Sequence, residues 1–248
     1  MSKVLITGGS EGIGFEFAKY YASQDDEIIL VARNQMKLLD AKNELENLYH
    51  KKVQIISCDL SEKGSAYKLF KNVESENVDI LINNAGCGYT ERSWKIDIDK
   101  EEDMVVVNDI SLMSLTKLFI NQMKKRHEGI VINISSTGSF QPGPYIAGYY
   151  ASKSFVTSYT LAIREEIKSY GIRVYCVCPG PVYTGFYDKG GARNPRYALT
   201  AEKVVKYTVK HMKGKCLIIP GFTNRIVRII PMKIRMKFIM NSKKKSLK

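Results

Sequence analysis

Short apolar runs recur along this chain, and between them apolar residues return every three or four positions. The runs occupy 4–7, 27–33, 53–58, 78–82, 129–134 and 172–178, with a further one at 216–219. Rich in Val, Ile and Leu and bounded by Gly, Asn, Asp or Ser, they read as strands. Helical spacing appears after 15 (Phe15, Ala18, Tyr21, Ala22) and over 35–49, 62–76 and 97–126. It returns from Tyr149 to about 170. Strands alternating with helices of this length imply right-handed crossovers and an α/β fold, its parallel sheet of about seven strands covered on both faces. Residues 1–220 read as one domain, and 221–248 as an extension.

Polar residues gather where the strands end. The first run leads through Gly8, Gly9, Ser10, Glu11, Gly12, Ile13 and Gly14 into a helix. Strand, glycine turn and helix suit a pyrophosphate, which the bare backbone can approach and the helix N-terminus can bind. The second run ends at Arg33, where a carboxylate would select a free ribose 2′-hydroxyl. A guanidinium there suits a 2′-phosphate and predicts NADP(H) over NAD(H), with Glu11 as an objection because its charge would repel the same phosphate. The third run ends at Asp59 and Leu60, the fourth at Asn83, Asn84, Ala85 and Gly86, and the fifth at Ser135 and Ser136.

Composition narrows the function. Of 38 Lys and Arg, 14 lie between Lys203 and Lys248 with no Asp or Glu among them, so the remainder holds 24 basic against 25 acidic residues. A neutral body argues against a nucleic-acid-binding face. Five scattered cysteines in no Cys-x-x-Cys pattern suggest reduced thiols and no metal site. No signal-like or membrane-spanning stretch appears, so a cytoplasmic protein is expected.

Tyr149 and Lys153 share a helix face one turn apart, a spacing also found in Tyr67 and Lys71. Context separates the copies. Thr7-Gly8-x-x-x-Gly12-x-Gly14, Asn83-Asn84-Ala85-Gly86, Asn108, Ser136, Tyr149-x-x-x-Lys153 and Pro179-Gly180-x-x-x-Thr184 together resemble the short-chain dehydrogenase/reductase family over roughly residues 3–220. The resemblance implies a Rossmann-like doubly wound fold and an enzyme interconverting a carbonyl and an alcohol with NADP(H). It implies that Tyr149 is the general acid or base, its pKa lowered toward neutrality by Lys153 together with the cationic nicotinamide of the oxidised complex. Ser136 would hold the substrate oxygen, and Asn108 a water in a proton relay. Cofactor contacts would fall to Gly8, Ser10, Glu11, Gly12, Ile13, Gly14, Arg33, Asp59, Leu60, Asn83, Ala85, Gly86, Ile134, Tyr149, Lys153, Pro179, Gly180, Val182 and Thr184. It further implies a homodimer or homotetramer paired through helices at 108–125 and 149–170.

Aromatic residues in two loops suggest an apolar substrate such as a fatty acyl, steroid-like or aromatic ketone. Phe186 and Tyr187 would stand on one wall and Phe140 and Tyr145 on the other. The basic and apolar tail 222–248 fits peripheral contact with an anionic membrane, or a helix covering the pocket or a subunit interface. The alternative function is a non-catalytic NADP(H) sensor tethered by that tail, against which the intact Ser136, Tyr149 and Lys153 argue.

Overall fold

A computed structural model describes residues 1–186, 198–226 and 229–246. In order the elements are β1 (Lys3–Thr7), α1 (Gly12–Ala22), β2 (Glu27–Ala32), α2 (Gln35–Tyr49), β3 (Val53–Ser57), α3 (Ser65–Val73), β4 (Ile80–Asn83) and α4 (Ile98–Val105). They continue with α5 (Leu112–Arg126), β5 (Gly129–Ile134), α6 (Ala147–Ile167), β6 (Ile172–Val177), β7 (Val182–Tyr183), β8 (Leu199–Thr200), α7 (Ala201–His211), β9 (Leu217–Ile218), α8 (Phe222–Ile226) and α9 (Met232–Ser246). The main sheet has the order β3-β2-β1-β4-β5-β6-β9, every pair parallel. This is the doubly wound, Rossmann-like arrangement of seven strands expected, with the order reversing between β1 and β4.

The pleat assigns alternate residues of each strand to opposite faces. Val4, Ile6, Ile28, Leu30, Ile82 and Ile132 meet Phe17 and Tyr21 of α1, Leu38 and Leu45 of α2 and Val205 of α7. Leu5, Ile29, Val31, Leu81, Val131 and Val174 meet Leu69 and Phe70 of α3 and Leu115, Phe119 and Met123 of α5. Since both faces are dry, the strands lack polar alternation. Cys176 and Cys178 are buried beside Ile219, as expected of core residues, and all five cysteines are free.

Three boundaries differ from expectation. Helix α3 starts only after Gly64, whose φ of +83° is a turn conformation, and is shorter than 62–76. Strand β4 starts two residues late, at Ile80, although the Asp79 N–H donates to the Lys3 carbonyl and its carbonyl accepts from Ile130 N; its carboxylate also accepts from Lys3 N and pairs with Arg126. The stretch 97–126 is two α-helices rather than one, with a π turn, Val106–Ser111, joining α4 to α5 around Asn108. Such turns often mark functional positions.

Phe119 has no exposed surface and meets the Phe70 ring edge-on at 5.2 Å. Phe119→Ala is expected to destabilise the fold by about 3–5 kcal/mol, read as a lower urea midpoint at unchanged slope.

Candidate active site

The chain leaves β1 through Gly8 and Gly12, both in the left-handed region at φ +62° and +59°. Side chains there would be strained. A Cβ on Gly14 would lie 2.3 Å from the Gly8 carbonyl oxygen. Thr7 Oγ1 accepts from the N–H groups of Asn84 (3.0 Å) and Ala85 (3.1 Å), and Asn84 Nδ2 donates to the carbonyls of Thr7 and Gly8. Thus Thr7 and Asn84, absent from the expected contacts, fasten the glycine turn to the end of β4. No side chain caps the start of α1, so backbone donors remain for an anion. Ser10 is half-buried in the same turn, while Ile13 packs against Val182 and Leu199.

Glu11 is less of an objection than its charge suggests. Its carboxylate is paired with Lys37 Nζ at 2.7 Å. Arg33, at the end of β2, is exposed and makes no ion pair among the described residues. Bare glycine backbone and an unpaired guanidinium at adjoining strand ends fit a dinucleotide carrying a 2′-phosphate.

Not every expected contact can use its side chain. Asp59 Oδ1 accepts from Ser61 N and Oγ, and the Leu60 carbonyl from Ser111 Oγ. Asn83 is buried, donating to Thr116 Oγ1 (3.0 Å) and Asn133 Oδ1 (2.9 Å). At its register Asn83 faces the core, so any cofactor contact falls to its backbone. Val182 likewise packs with Ala201 and Val204 rather than toward a carboxamide. Thr184 Cγ2 lies 2.9 Å from where a Gly12 Cβ would stand, against the glycine turn. The Pro179 carbonyl accepts from Thr137 N, and Gly180 packs against Asn224.

Ser136, Tyr149 and Lys153 converge beyond the end of β5. Ser135 is turned inward, bonded to the Lys153 carbonyl (2.8 Å) and Thr157 Oγ1 (2.7 Å). Ser136 Oγ instead accepts from Gly138 N at 3.0 Å and stands close enough to the Tyr149 hydroxyl to lower its pKa. Lys153 Nζ, 4% exposed, donates to the Ile134 carbonyl at 3.0 Å and stands 5.8 Å from the Tyr149 ring centre. Burial lowers the Lys153 pKa. A Cβ on Gly86 would lie 3.0 Å from Asn108 Oδ1 and 3.3 Å from Lys153 Nζ, so this loop lies directly against the site.

The surroundings of Tyr149 and Asn108 narrow how each could act. In the chain alone, burial pushes the Tyr149 phenol up to about 12, with Ser136 pulling it back only in part, so the lowering toward neutrality falls to the bound nicotinamide. The Asn108 side chain is engaged by protein groups, Oδ1 accepting from Cys87 N and Nδ2 donating to Cys87 O and Ser152 Oγ, so a relay water would use its backbone carbonyl or the second Oδ1 lone pair. Beside it Asp109, which sequence reasoning passed over, is buried and pushed up to about 7, chiefly by desolvation.

Of the proposed substrate walls, Phe186 approaches the reactive group, its ring centre 5.3 Å from that of Tyr149. Phe140 packs against Cys176, Cys178 and Ile219, which makes it a wall of the core. Tyr145 is half-buried at a left-handed φ of +65°, its carbonyl accepting from Glu91 N. Tyr187 lies outside the described residues. The tail reaches this region, for Arg235 of α9 donates to the Phe140 carbonyl at 3.2 Å.

The profile described as short chain dehydrogenase matches residues 2–194. A very-long-chain 3-oxoacyl-CoA reductase of Anas platyrhynchos is 32% identical over 73% of this chain, a match that spans only 59% of that relative's length. The reductase of the same name from Rattus norvegicus is 28% identical over 97% of this chain and 79% of its own. A 17-beta-hydroxysteroid dehydrogenase type 3 of Danio rerio is 30% identical over 92% and 76%. Among solved structures, a short-chain dehydrogenase from Sphingobium yanoikuyae in complex with NADPH superposes with a TM-score of 0.86 over 97% of this chain and 96% of its own, at 23% identity. That likeness speaks for the fold alone. From the profile match and the motifs assembled at the strand ends, the chain belongs to the short-chain dehydrogenase family.

Proposed function

We propose that the protein is an NADP(H)-dependent oxidoreductase interconverting a carbonyl and an alcohol on an apolar substrate. The observation that carries this reading is the meeting of Ser136, Tyr149 and buried Lys153 at the carboxyl end of β5. The glycine turn of Gly8, Gly12 and Gly14 would hold the pyrophosphate, Arg33 the 2′-phosphate, and Lys153 the ribose beside the reacting carbon. When bound, the nicotinamide supplies or removes hydride.

The chain's own residues handle the proton. Ser136 Oγ can donate to the substrate oxygen as charge develops there. Tyr149 holds its proton throughout the neutral range, since its pKa is pushed up to about 12. A protonated phenol is ready to donate to an alkoxide, as carbonyl reduction requires. Alcohol oxidation needs the phenolate, and its rate should rise with pH. Phe186 beside Tyr149 favours an apolar group next to the carbonyl. The names of the relatives, acting on 3-oxoacyl-CoA and hydroxysteroids, support the same class of substrate.

We further infer that residues 221–248 form an extension in contact with an anionic membrane surface. Among the described residues no helix is long and apolar enough to cross a membrane. Ile229, Ile234 and Phe238 are nonetheless exposed beside Lys233 and Lys237, a mixture suited to a charged interface.

Three outcomes follow. Tyr149→Phe is expected to abolish NADPH-dependent ketone reduction while leaving NADPH binding, read by fluorescence, within about twofold; retained turnover would refute the scheme. Arg33→Glu should raise KM for NADPH at least about tenfold, the loss of one charge-assisted contact, and leave KM for NADH nearly unchanged. A wild-type preference for NADH would dispose of the 2′-phosphate reading. The full chain should co-sediment with phosphatidylserine-containing vesicles more than with phosphatidylcholine ones, and a double variant with Ile234→Glu and Phe238→Glu should not. Equal recovery with both lipids would remove the membrane contact.

A further inference from the structure

The loop that leaves β4 lies along the start of α6, and its fit there depends on a missing side chain. A Cβ on Gly86 would lie 3.3 Å from Lys153 Nζ. Two residues on, Gly88 is buried, and a Cβ there would lie 2.6 Å from Tyr149 Cδ2, 2.8 Å from its Cγ and 3.1 Å from its Cβ. Further along, Glu91 N donates to the Tyr145 carbonyl at 3.0 Å. Lys153, Tyr149 and Tyr145 follow one another at the helical repeat. Loop and helix therefore run past each other in opposite directions and in step, with Gly88 opposite the reactive ring.

Neither partner can give way. The Cys87 N–H donates to Asn108 Oδ1 at 3.0 Å, and the Cys87 carbonyl accepts from Asn108 Nδ2 at 2.9 Å. The same Nδ2 donates to Ser152 Oγ at 2.9 Å, and Ser152 Oγ donates to the Tyr149 carbonyl at 2.9 Å. Gly88 thus adjoins a chain of bonds that ends on the backbone of the residue whose ring it touches. The Tyr149 atoms in contact are the root of the side chain, not its hydroxyl tip. Relief would require another χ1 or a shift of α6. The Phe186 ring centre, 5.3 Å from that of Tyr149, occupies more of the surroundings. Unlike Gly8 and Gly12, Gly88 has a φ outside the left-handed region. Alanine's backbone is permitted there, and the nearest atoms its Cβ would meet all belong to Tyr149. Carbon atoms attract at about 3.5–4.0 Å and repel well inside that.

We propose that Gly88 is a positioning residue of this active site, its bare backbone packed against Tyr149 so that the phenol is aimed at Ser136 and the substrate oxygen. The inference rests on the oxidoreductase reading above. A side chain at 88 would push on the root of the ring, and the hydroxyl at the far end would swing further than the root. A reacting group misplaced by about 1 Å can lose on the order of a hundredfold in rate. The glycine turn and Arg33 stand at the ends of β1 and β2, away from this contact, so the loss falls on turnover and spares cofactor binding.

The test compares wild type with Gly88→Ala and Gly88→Val, and with Gly214→Ala, where a Cβ would meet nothing within 4 Å. In ketone reduction with NADPH, kcat per NADPH-binding site should fall about 10- to 100-fold in Gly88→Ala and further in Gly88→Val. KM for NADPH should stay within about twofold, and Gly214→Ala should match wild type. The solvent deuterium isotope effect on kcat should rise in Gly88→Ala, because a misplaced phenol makes proton transfer the slow step. Loss of folded protein alone leaves that ratio unchanged. Independently of turnover, the Tyr149 ring resonances of the wild type, identified by their absence in Tyr149→Phe, should show nuclear Overhauser contacts to the Gly88 α protons. An unchanged kcat in Gly88→Ala overturns the proposal, as does a fallen kcat with an unchanged isotope effect. Absence of the Overhauser contact overturns it too, and that measurement decides the matter if neither Gly88 variant folds. If wild type reduces no ketone, the oxidoreductase reading fails, and the same contact still decides whether Gly88 holds the Tyr149 ring.

Discussion

A parallel sheet buried on both faces leaves nowhere on its strands for solvated polar groups. The functional residues are consequently confined to positions where the backbone escapes the sheet, at the carboxyl ends of β1 to β6. Thr7, Arg33, Asp59, Asn84 and Ser136 all stand within a few residues of such an end. The reversal of strand order between β1 and β4 opens a crevice there. The bonds from Thr7 and Asn84 tie its two lips together. The same dryness that builds the core thus concentrates the chemistry on one edge.

Polar groups do enter the interior, linked in a chain in which only some atoms are paired, Asn83 Oδ1 having no partner among the described residues. Asn83 donates to Thr116 and Asn133, and Asn133 to Thr160, all nearly or fully buried. These bonds connect β4 and β5 to α5 and α6. They brace the helix that carries Tyr149 and Lys153 against the strand that delivers Ser136. Ser135 adds a second brace through the Lys153 carbonyl. An active-site helix held by directional bonds is placed more sharply than apolar packing alone would place it.

The duplicated Tyr-x-x-x-Lys spacing isolates what burial contributes. Lys71 Nζ stands 5.7 Å from the Tyr67 ring centre and Lys153 Nζ 5.8 Å from that of Tyr149, so helix geometry gives both pairs nearly the same separation. Lys71 is solvated and bound to Glu74, and its pKa is raised by that bond. Lys153 is enclosed, and its pKa is lowered by desolvation. Identical spacing yields a surface ion pair in one place and a tuned cation in the other.

Much of this protein was legible in the order of its residues, because strand, glycine turn and helix follow from backbone rules that act over a few positions. The number of strands and the glycine turn at the end of the first belong to that part. What stayed hidden depends on segments far apart in the chain. Sequence could not show that Glu11 would be neutralised by Lys37, that Asn83 and Val182 would turn into the core, or that Asn108 would spend its amide on Cys87 and Ser152. Nor could it show that burial would raise the Tyr149 pKa and lower that of Lys153. The motifs alone determined which groups gather at the strand ends; tertiary structure decided their protonation and partners, because desolvation and charge proximity arise only when distant segments exclude water together.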